Sequence, residues 1–396
     1  MFKQSLNGCL LIASCVFVID SGASSLILES EINASTAYDD NVTYSAAGAD
    51  ESSSIVTITP KLKLTHQNDH WETTANARVS GTTYSAQLQN QFDSYVDFGT
   101  AYKEDRGIYS IAASYNVHAN RTEETNILGD SIDQLDTNTF SVKPNYTYLL
   151  TERMSLSVAV NFSSVDYGAD TTGSYFSYDT RTASGVLDYK LTQKSQLDLT
   201  LAAMDYTSDN GASEYTVLSS KIGIAHKFSE LITGKFSVGI TDREFYDRSN
   251  QVFNFFGSTV TGITELETTS SGSSYAASVD AGWVTVGASR DYVSNSVGGL
   301  NQSEKINAKF RMQITSLVGI TLLLDRVKTE ELSPYLANYS YVLTRVTPEM
   351  QLKLGHNLKA WIRYIRAERE IDSAVRSDAS DNNIYYVGMT YVFPSI

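Results

Sequence analysis

The five histidines are the residues of this sequence best suited to bind a metal or act as a base. His66 and His70 are four residues apart and flank a predicted short turn, but no third ligand lies nearby. His118, which is followed by Asn120 and Glu123, is the best candidate for hydrolytic chemistry at a loop base. The sequence contains no phosphate loop, nucleophile elbow or zinc motif. We therefore expect no catalytic residues, no metal site and no cofactor.

The N-terminus has the composition of a cleaved secretory signal. Lys3 supplies a positive charge, and Leu10–Ile19 is an apolar run too short to span a bilayer as a helix. Small residues precede a predicted cleavage site after Ala23, so residues 1–23 are the predicted signal peptide. A lipoprotein signal ending at Cys15 is the alternative, and it is disfavoured because the apolar run continues beyond that cysteine.

Composition narrows the class of the remaining chain, residues 24–396, which we predict to be one domain. Both cysteines, Cys9 and Cys15, lie in the leader, so no disulfide can stabilise the mature chain. The net charge of −15 excludes a basic nucleic-acid-binding protein as the first choice, since phosphate recognition needs clustered lysine and arginine. No other apolar run reaches 18 residues, so no transmembrane helix is expected.

Alternation of apolar and polar residues with a period of two dominates the chain and predicts β-strands. The clearest examples are Met154–Phe162, Leu197–Ala203 and Lys305–Ile314. A soluble β-sandwich would show the same alternation. However, many segments run well beyond the usual soluble strand of about 5–6 residues, and tilted membrane strands need about 9–11. Tight turns also alternate with longer polar stretches, as in outer-membrane barrels.

These features predict an all-β protein, a transmembrane antiparallel up-and-down barrel of about 18 strands, within a range of about 16–18, in the bacterial outer membrane. Lipid of that membrane is then an obligatory partner. Closure also removes the unpaired strand edges that a membrane sheet cannot tolerate. The longest predicted connection is Arg248–Gly272, which could fold into the bore.

Aromatic residues cluster where a barrel would meet the two membrane surfaces. All three tryptophans, Trp71, Trp283 and Trp361, fall close to predicted short turns and are predicted interface residues. Tyrosines fall near the predicted loop ends, and these are Tyr38, Tyr84, Tyr167, Tyr206, Tyr275 and Tyr292. The alternative is that tyrosine and tryptophan simply favour strands.

Basic residues lie on the polar side of the predicted strands, whereas acidic residues concentrate in the predicted loops. If the apolar side faces lipid, the predicted pore-lining residues are Lys61, Lys63, Arg78, Lys143, Lys190, Lys221, Lys235, Lys305, Lys309, Arg311 and Arg363. A barrel of this size leaves an aqueous channel, and rings of lysine or arginine favour anions. The alternative is that these charges only keep a polar bore wet.

Three segments, Phe92–Tyr102, Arg106–Glu124 and Arg363–Phe393, resemble the β-barrel porin 2 family, and the similarity extends over the mature chain. The resemblance implies a single outer-membrane barrel associated with exopolysaccharide synthesis and export systems. Acidic polysaccharide and periplasmic export proteins would then be its partners. The alternatives are a general or anion-selective diffusion porin and a structural or adhesive barrel.

Overall fold

The computed structural model describes residues 25–42, 51–86, 90–119, 136–168, 177–209, 213–255, 258–294, 300–332, 340–372 and 377–395. Side chains are not described at 119, 247–266, 294, 331 and 377–378. The predicted signal peptide and both cysteines lie outside the described residues. Within these ranges, no helix is long and apolar enough to cross a membrane.

Eighteen strands make up the described chain. The first nine are β1 (Ser25–Asp39), β2 (Ser53–Gln67), β3 (Trp71–Tyr84), β4 (Gln91–Lys103), β5 (Gly107–Ala119), β6 (Asp136–Thr151), β7 (Met154–Tyr167), β8 (Tyr178–Lys190) and β9 (Ser195–Ser208). The second nine are β10 (Ser213–Lys227), β11 (Thr233–Phe255), β12 (Ser258–Asp280), β13 (Val284–Ser294), β14 (Leu300–Gln313), β15 (Val318–Glu331), β16 (Ser340–Lys353), β17 (Leu358–Asp372) and β18 (Ser377–Val392).

The strands form one closed antiparallel sheet. Each strand pairs with its neighbours in sequence, and β1 pairs with β18 to close the barrel, with Glu31 opposite Val392 and Asp39 opposite Ile384. Closure gives every strand two partners, so the sheet has no edge strand. The predicted fold class and the strand number of 18 are confirmed.

The two faces of the sheet are identified by contacts between strands that are not neighbours. Leu300 of β14 packs with Tyr206 of β9 and Tyr215 of β10, which is possible only across the interior of the barrel. Tyr206 and Tyr215 therefore mark the bore face of β9 and β10. Successive side chains alternate between faces, so the large apolar residues at the alternate positions, such as Leu201 and Ile222, lie on the outer face, where they are exposed.

Short turns lie at one end of the barrel and close with backbone hydrogen bonds such as Glu104 N to Gly107 O and Ala281 N to Val284 O. The predicted connection Arg248–Gly272 does not exist as a loop, and this expectation was wrong. β11 and β12 instead continue as paired strands of 23 residues each, with Phe255 opposite Ser258. The β-branched residues of Ser258–Asp280 suit such extended pairing.

The end of β13 and β14 away from the short turns bends into the bore. β12 pairs with β13 only between Tyr275 and Asp280, although β12 continues beside β11. Beyond that point Asp291 of β13 forms an ion pair with Lys221 of β10, although β11 and β12 lie between these strands in the sheet. The opening of the β12–β13 pairing therefore lets this end cross over the wall formed by β9–β11. We call it the inward end, and it includes Asp291 and Tyr292 of β13 and Leu300 of β14.

Candidate functional site

An apolar band surrounds the outside of the barrel. On β14 the outer face is apolar from Ile306 to Ile314, and charge begins at Glu304. That run is about 27 Å long along the strand. Because the strands of such barrels are tilted by about 40° from the barrel axis, its height along that axis is about 20 Å. This height is close to the apolar band of about 25 Å in outer-membrane barrels. Only lipid can cover so much exposed apolar surface on a closed barrel. The protein is an outer-membrane β-barrel.

Aromatic residues border this band at the short-turn end. Trp71 lies on the outer face with its ring 4.9 Å from that of Tyr102, and Tyr109 stacks on Tyr146 at 4.3 Å. Trp283 lies in the turn between β12 and β13 and is exposed. Such rings suit the membrane interface because they have an apolar body and a polar edge.

Trp361 does not belong to this group, so its prediction as an interface residue needs correction. It is in register with Gly388, and the guanidinium carbon of Arg363 lies 4.9 Å from its ring centroid. Exposed Ile362, between them in sequence, lies on the outer face. Trp361 therefore lies on the bore face, because alternate residues share a face.

The structure places the eleven predicted basic residues on the bore face, and four of them form ion pairs. Lys61 contacts Glu31 at 2.5 Å and Lys63 contacts Glu29 at 2.7 Å. The third pair is Lys221 with Asp291, and the fourth is Arg363 with Glu349. The bore is therefore more acidic than the sequence suggested.

Sequence reasoning missed these acidic partners, which are Glu29, Glu31, Asp291 and Glu349. The sequence contained part of the evidence, because Glu29 and Glu31 occupy the same alternate positions of β1 as other polar residues and so share a face with them. What the sequence did not show is the register that puts Glu31 opposite Lys61 and Glu29 opposite Lys63.

Six of the predicted residues have no carboxylate within ion-pair distance in the described part of the chain: Lys143, Lys190, Lys235, Lys305, Lys309 and Arg311. All six lie on the wall formed by β6–β14. Arg78, on the opposite wall, lies over the ring of Tyr95 at 3.8 Å. The basic residues without an ion-pair partner are therefore concentrated on one side of the bore, which also carries Asp188 of β8 opposite Asp198 of β9.

β14 carries three of these cations on one face. Lys305 is opposite Ser289 and Val327 in the neighbouring strands, and Lys309 is opposite Thr285 and Leu323. Arg311 is opposite Thr321 of β15. None of these cross-strand neighbours carries a charge. These cations therefore have no counter-charge directly opposite them in the neighbouring strands.

Five aromatic rings form a row across β7–β11 on the bore face. Tyr167 lies 6.4 Å from Tyr178, and Tyr178 lies 5.0 Å from Tyr206. Tyr206 stacks on Tyr215 at 4.3 Å, and Tyr215 lies 5.5 Å from Phe245. Tyr167 and Tyr206 therefore line the bore, contrary to their expected place in the membrane interface.

The inward end covers the centre of this row. Leu300 has no exposed surface, and Tyr206 and Tyr215 are 1% and 3% exposed. Tyr292 also packs against this cluster, and its hydroxyl occupies the space that a Cβ atom at Gly272 would fill. Only glycine permits that approach.

The histidines are dispersed among strands and turns. His118 is buried on the bore face and stacks on Tyr95 with ring centroids 6.3 Å apart. Asn120 and Glu123, its expected neighbours, lie outside the described residues. Nδ1 of His70 lies 3.2 Å from the carbonyl of Lys103 in a turn. Among the residues that the structure describes, no group of three His, Cys, Asp or Glu side chains could hold a metal.

No family model and no curated protein matches the chain. Solved structures with similar shape include the copper transporter OprC, at TM-score 0.49 and 8% identity over 92% of this chain and 81% of that one. Acinetobacter baumannii OccAB4 has a TM-score of 0.48 at 11% identity over 92% and 98% of the two chains. Pseudomonas aeruginosa OpdQ has 0.47 at 10% over 95% and 100%. Similarity at this level assigns neither a family nor a specific function.

Proposed function

We propose that this barrel is an anion-favouring outer-membrane channel for acidic solutes, with acidic saccharides as the substrate class. The observation that carries the proposal is the β14 cation row, Lys305, Lys309 and Arg311, whose cross-strand neighbours are uncharged. A row of fixed positive charges with uncharged cross-strand neighbours raises the local concentration of anions and repels cations.

The paired bases contribute less to this preference. Lys61 with Glu31 and Lys63 with Glu29 present dipoles rather than net charge, and both pairs lie on the β1–β2 wall. The unpaired cations lie across from them on β6–β14. An acidic solute would therefore follow the β6–β14 wall.

Export of an acidic exopolysaccharide is the second candidate function. The observation that favours it is the uncovered end of the aromatic row, where half-buried Tyr167 and Tyr178 lie 6.4 Å apart, because flat aromatic faces stack on sugar rings. Its deletion phenotype separates the two functions. In a strain lacking the gene, polymer is measured at the cell surface, in the medium and in the periplasm.

Loss of polymer outside the cell would support export. Unchanged polymer at all three locations would contradict export and leave the diffusion channel. The channel itself is tested by the reversal potential of purified protein in a planar bilayer with a salt gradient. A reversal potential of cation-selective sign would contradict the proposed anion preference.

A further inference from the structure

A polar cavity of about 550 Å³ lies on the bore face of β1–β5, on the wall across from the β14 cation row. Six charged side chains line it, and these are Glu29, Glu31, Lys61, Lys63, Arg78 and Asp97. Glu31 is half-buried and the other five are exposed, so a solute in the bore can reach them. Positive and negative charges are equal in number, so the cavity has no net charge.

Four of these charges neutralise one another within the cavity. Lys61 donates a hydrogen bond to Glu31 at 2.5 Å, and Lys63 donates one to Glu29 at 2.7 Å. The register of β1 and β2 places both lysines directly opposite their partners, so the two pairs form side by side. Arg78 and Asp97 are therefore the charges that remain for a ligand.

Arg78 and Asp97 lie on neighbouring strands but do not pair with each other. Arg78 is opposite Tyr95, and its guanidinium carbon lies 3.8 Å from the centroid of that ring. Asp97 is two residues beyond Tyr95 on the same face of β4, about 7 Å further along the strand. Neither Arg78 nor Asp97 has an ion-pair partner in the described part of the chain. One wall of the cavity therefore holds a cation and an anion apart.

Two amide side chains lie beside these charges. Asn116 of β5 is opposite Tyr95, and Asn76 of β3 is opposite Asp97. Both amides line the cavity and are half-buried, and neither has a side-chain hydrogen-bond partner within the described ranges. Because an amide side chain both donates and accepts hydrogen bonds, the two can satisfy the N–H and the C=O of a peptide group.

We infer that this cavity binds dipolar solutes of dipeptide length, with the carboxylate on Arg78 and the ammonium on Asp97. An extended chain of two residues spans about 7 Å, which matches the spacing of the two charges along β4. The planar guanidinium offers paired N–H donors to a carboxylate. A solute with one charge is attracted by one of the two residues and repelled by the other, so a dipolar solute is favoured. The inference goes beyond the proposed function, because it assigns a second class of solute to the opposite wall.

The test is binding of dialanine to the purified barrel in detergent micelles, measured by titration with saturation-transfer NMR. N-acetyl-dialanine lacks the ammonium and dialanine amide lacks the carboxylate, so these are singly charged controls of similar size. Both should bind the wild-type barrel about threefold to fivefold more weakly than dialanine, which is the contribution of one exposed ion pair. Alanine should also bind more weakly, because its two charges are too close together to reach both residues.

Each substitution in the site should act on one end of the solute. D97N should weaken dialanine by about threefold to fivefold without weakening N-acetyl-dialanine, and R78Q should weaken dialanine equally without weakening dialanine amide. D97N keeps the test valid if R78Q fails to fold, since Arg78 also packs on Tyr95. The matched controls are D242N and R326Q on the outer face, opposite exposed Leu218 and Ile306, and both should leave binding unchanged.

Equal affinity of the wild-type barrel for dialanine and its two capped forms would overturn the inference. Equal weakening of all three solutes in D97N and in R78Q would also overturn it, because that result indicates a general disturbance of the cavity. The binding assay uses no ion gradient, so its outcome is separate from the reversal potential that tests the channel function.

Discussion

Replacing Lys305, Lys309 and Arg311 together with glutamine should reduce the preference for anions. An anion level with Lys309 in the bore lies about 8 Å from that charge and, at about 3.4 Å per residue along the strand, about 11 Å from Arg311 and about 16 Å from Lys305. In water screened by physiological salt these distances give about 0.2, 0.1 and 0.04 kcal/mol. The three charges together favour an anion by about 0.3 kcal/mol and disfavour a cation equally, so the permeability ratio should fall by about threefold.

The assay is the reversal potential in a planar bilayer, repeated at low and high salt. Because the Debye length grows to about 30 Å at 0.01 M, the effect of the three substitutions should become larger as salt is lowered. The matched control replaces Arg326, Lys328 and Arg366 with glutamine, which removes three charges from the outer face. An unchanged ratio in the bore variant, or an equal change in the control, would refute the argument.

Three further predictions concern packing and placement. Gly388→Ala should lower the stability of the barrel by about 1–3 kcal/mol in urea unfolding, because the new Cβ would overlap the Trp361 ring and lie 3.0 Å from the Ala34 carbonyl. Gly185→Ala, at a position with open space, should have little effect, and equal losses in the two variants would contradict this. In variants that keep one tryptophan, brominated lipid should quench Trp71 and spare Trp361, whereas acrylamide should quench Trp361; lipid quenching of Trp361 would contradict its place in the bore. Leu300→Asp should increase single-channel conductance, because a carboxylate without a partner disrupts packing on Tyr206 and Tyr215; Leu317→Asp in a turn is the control, and unchanged conductance would refute an obstructing role for the inward end.

Much of the barrel could be predicted from alternation alone. The run from Lys305 to Ile314 fixes a strand with an apolar and a polar face, because successive side chains point to opposite sides. Turn residues then separate 18 such strands, and a membrane sheet of that length must close. Alternation also placed Lys305, Lys309 and Arg311 on the bore face together.

Some features were readable from the same alternation and were missed. Trp361 is two residues from Arg363, so the two residues share a face, yet proximity to a turn favoured an interface position. Arg243 and Lys235 are an even number of positions apart on β11, so Arg243 faces the bore as well. Placement near a turn is weaker evidence than strand parity, since a residue beside a turn still points to one face or the other.

The sequence by itself determined the strands, their faces and the general charge of the bore. Only the tertiary structure decided which charges are neutralised, because Lys61 meets Glu31 through strand register and Lys221 meets Asp291 across two intervening strands. It also decided that the inward end covers Tyr206 and leaves Arg243 buried without a counter-charge. Such contacts join residues far apart in the chain, and no local pattern encodes how far a strand end bends once its pairing stops.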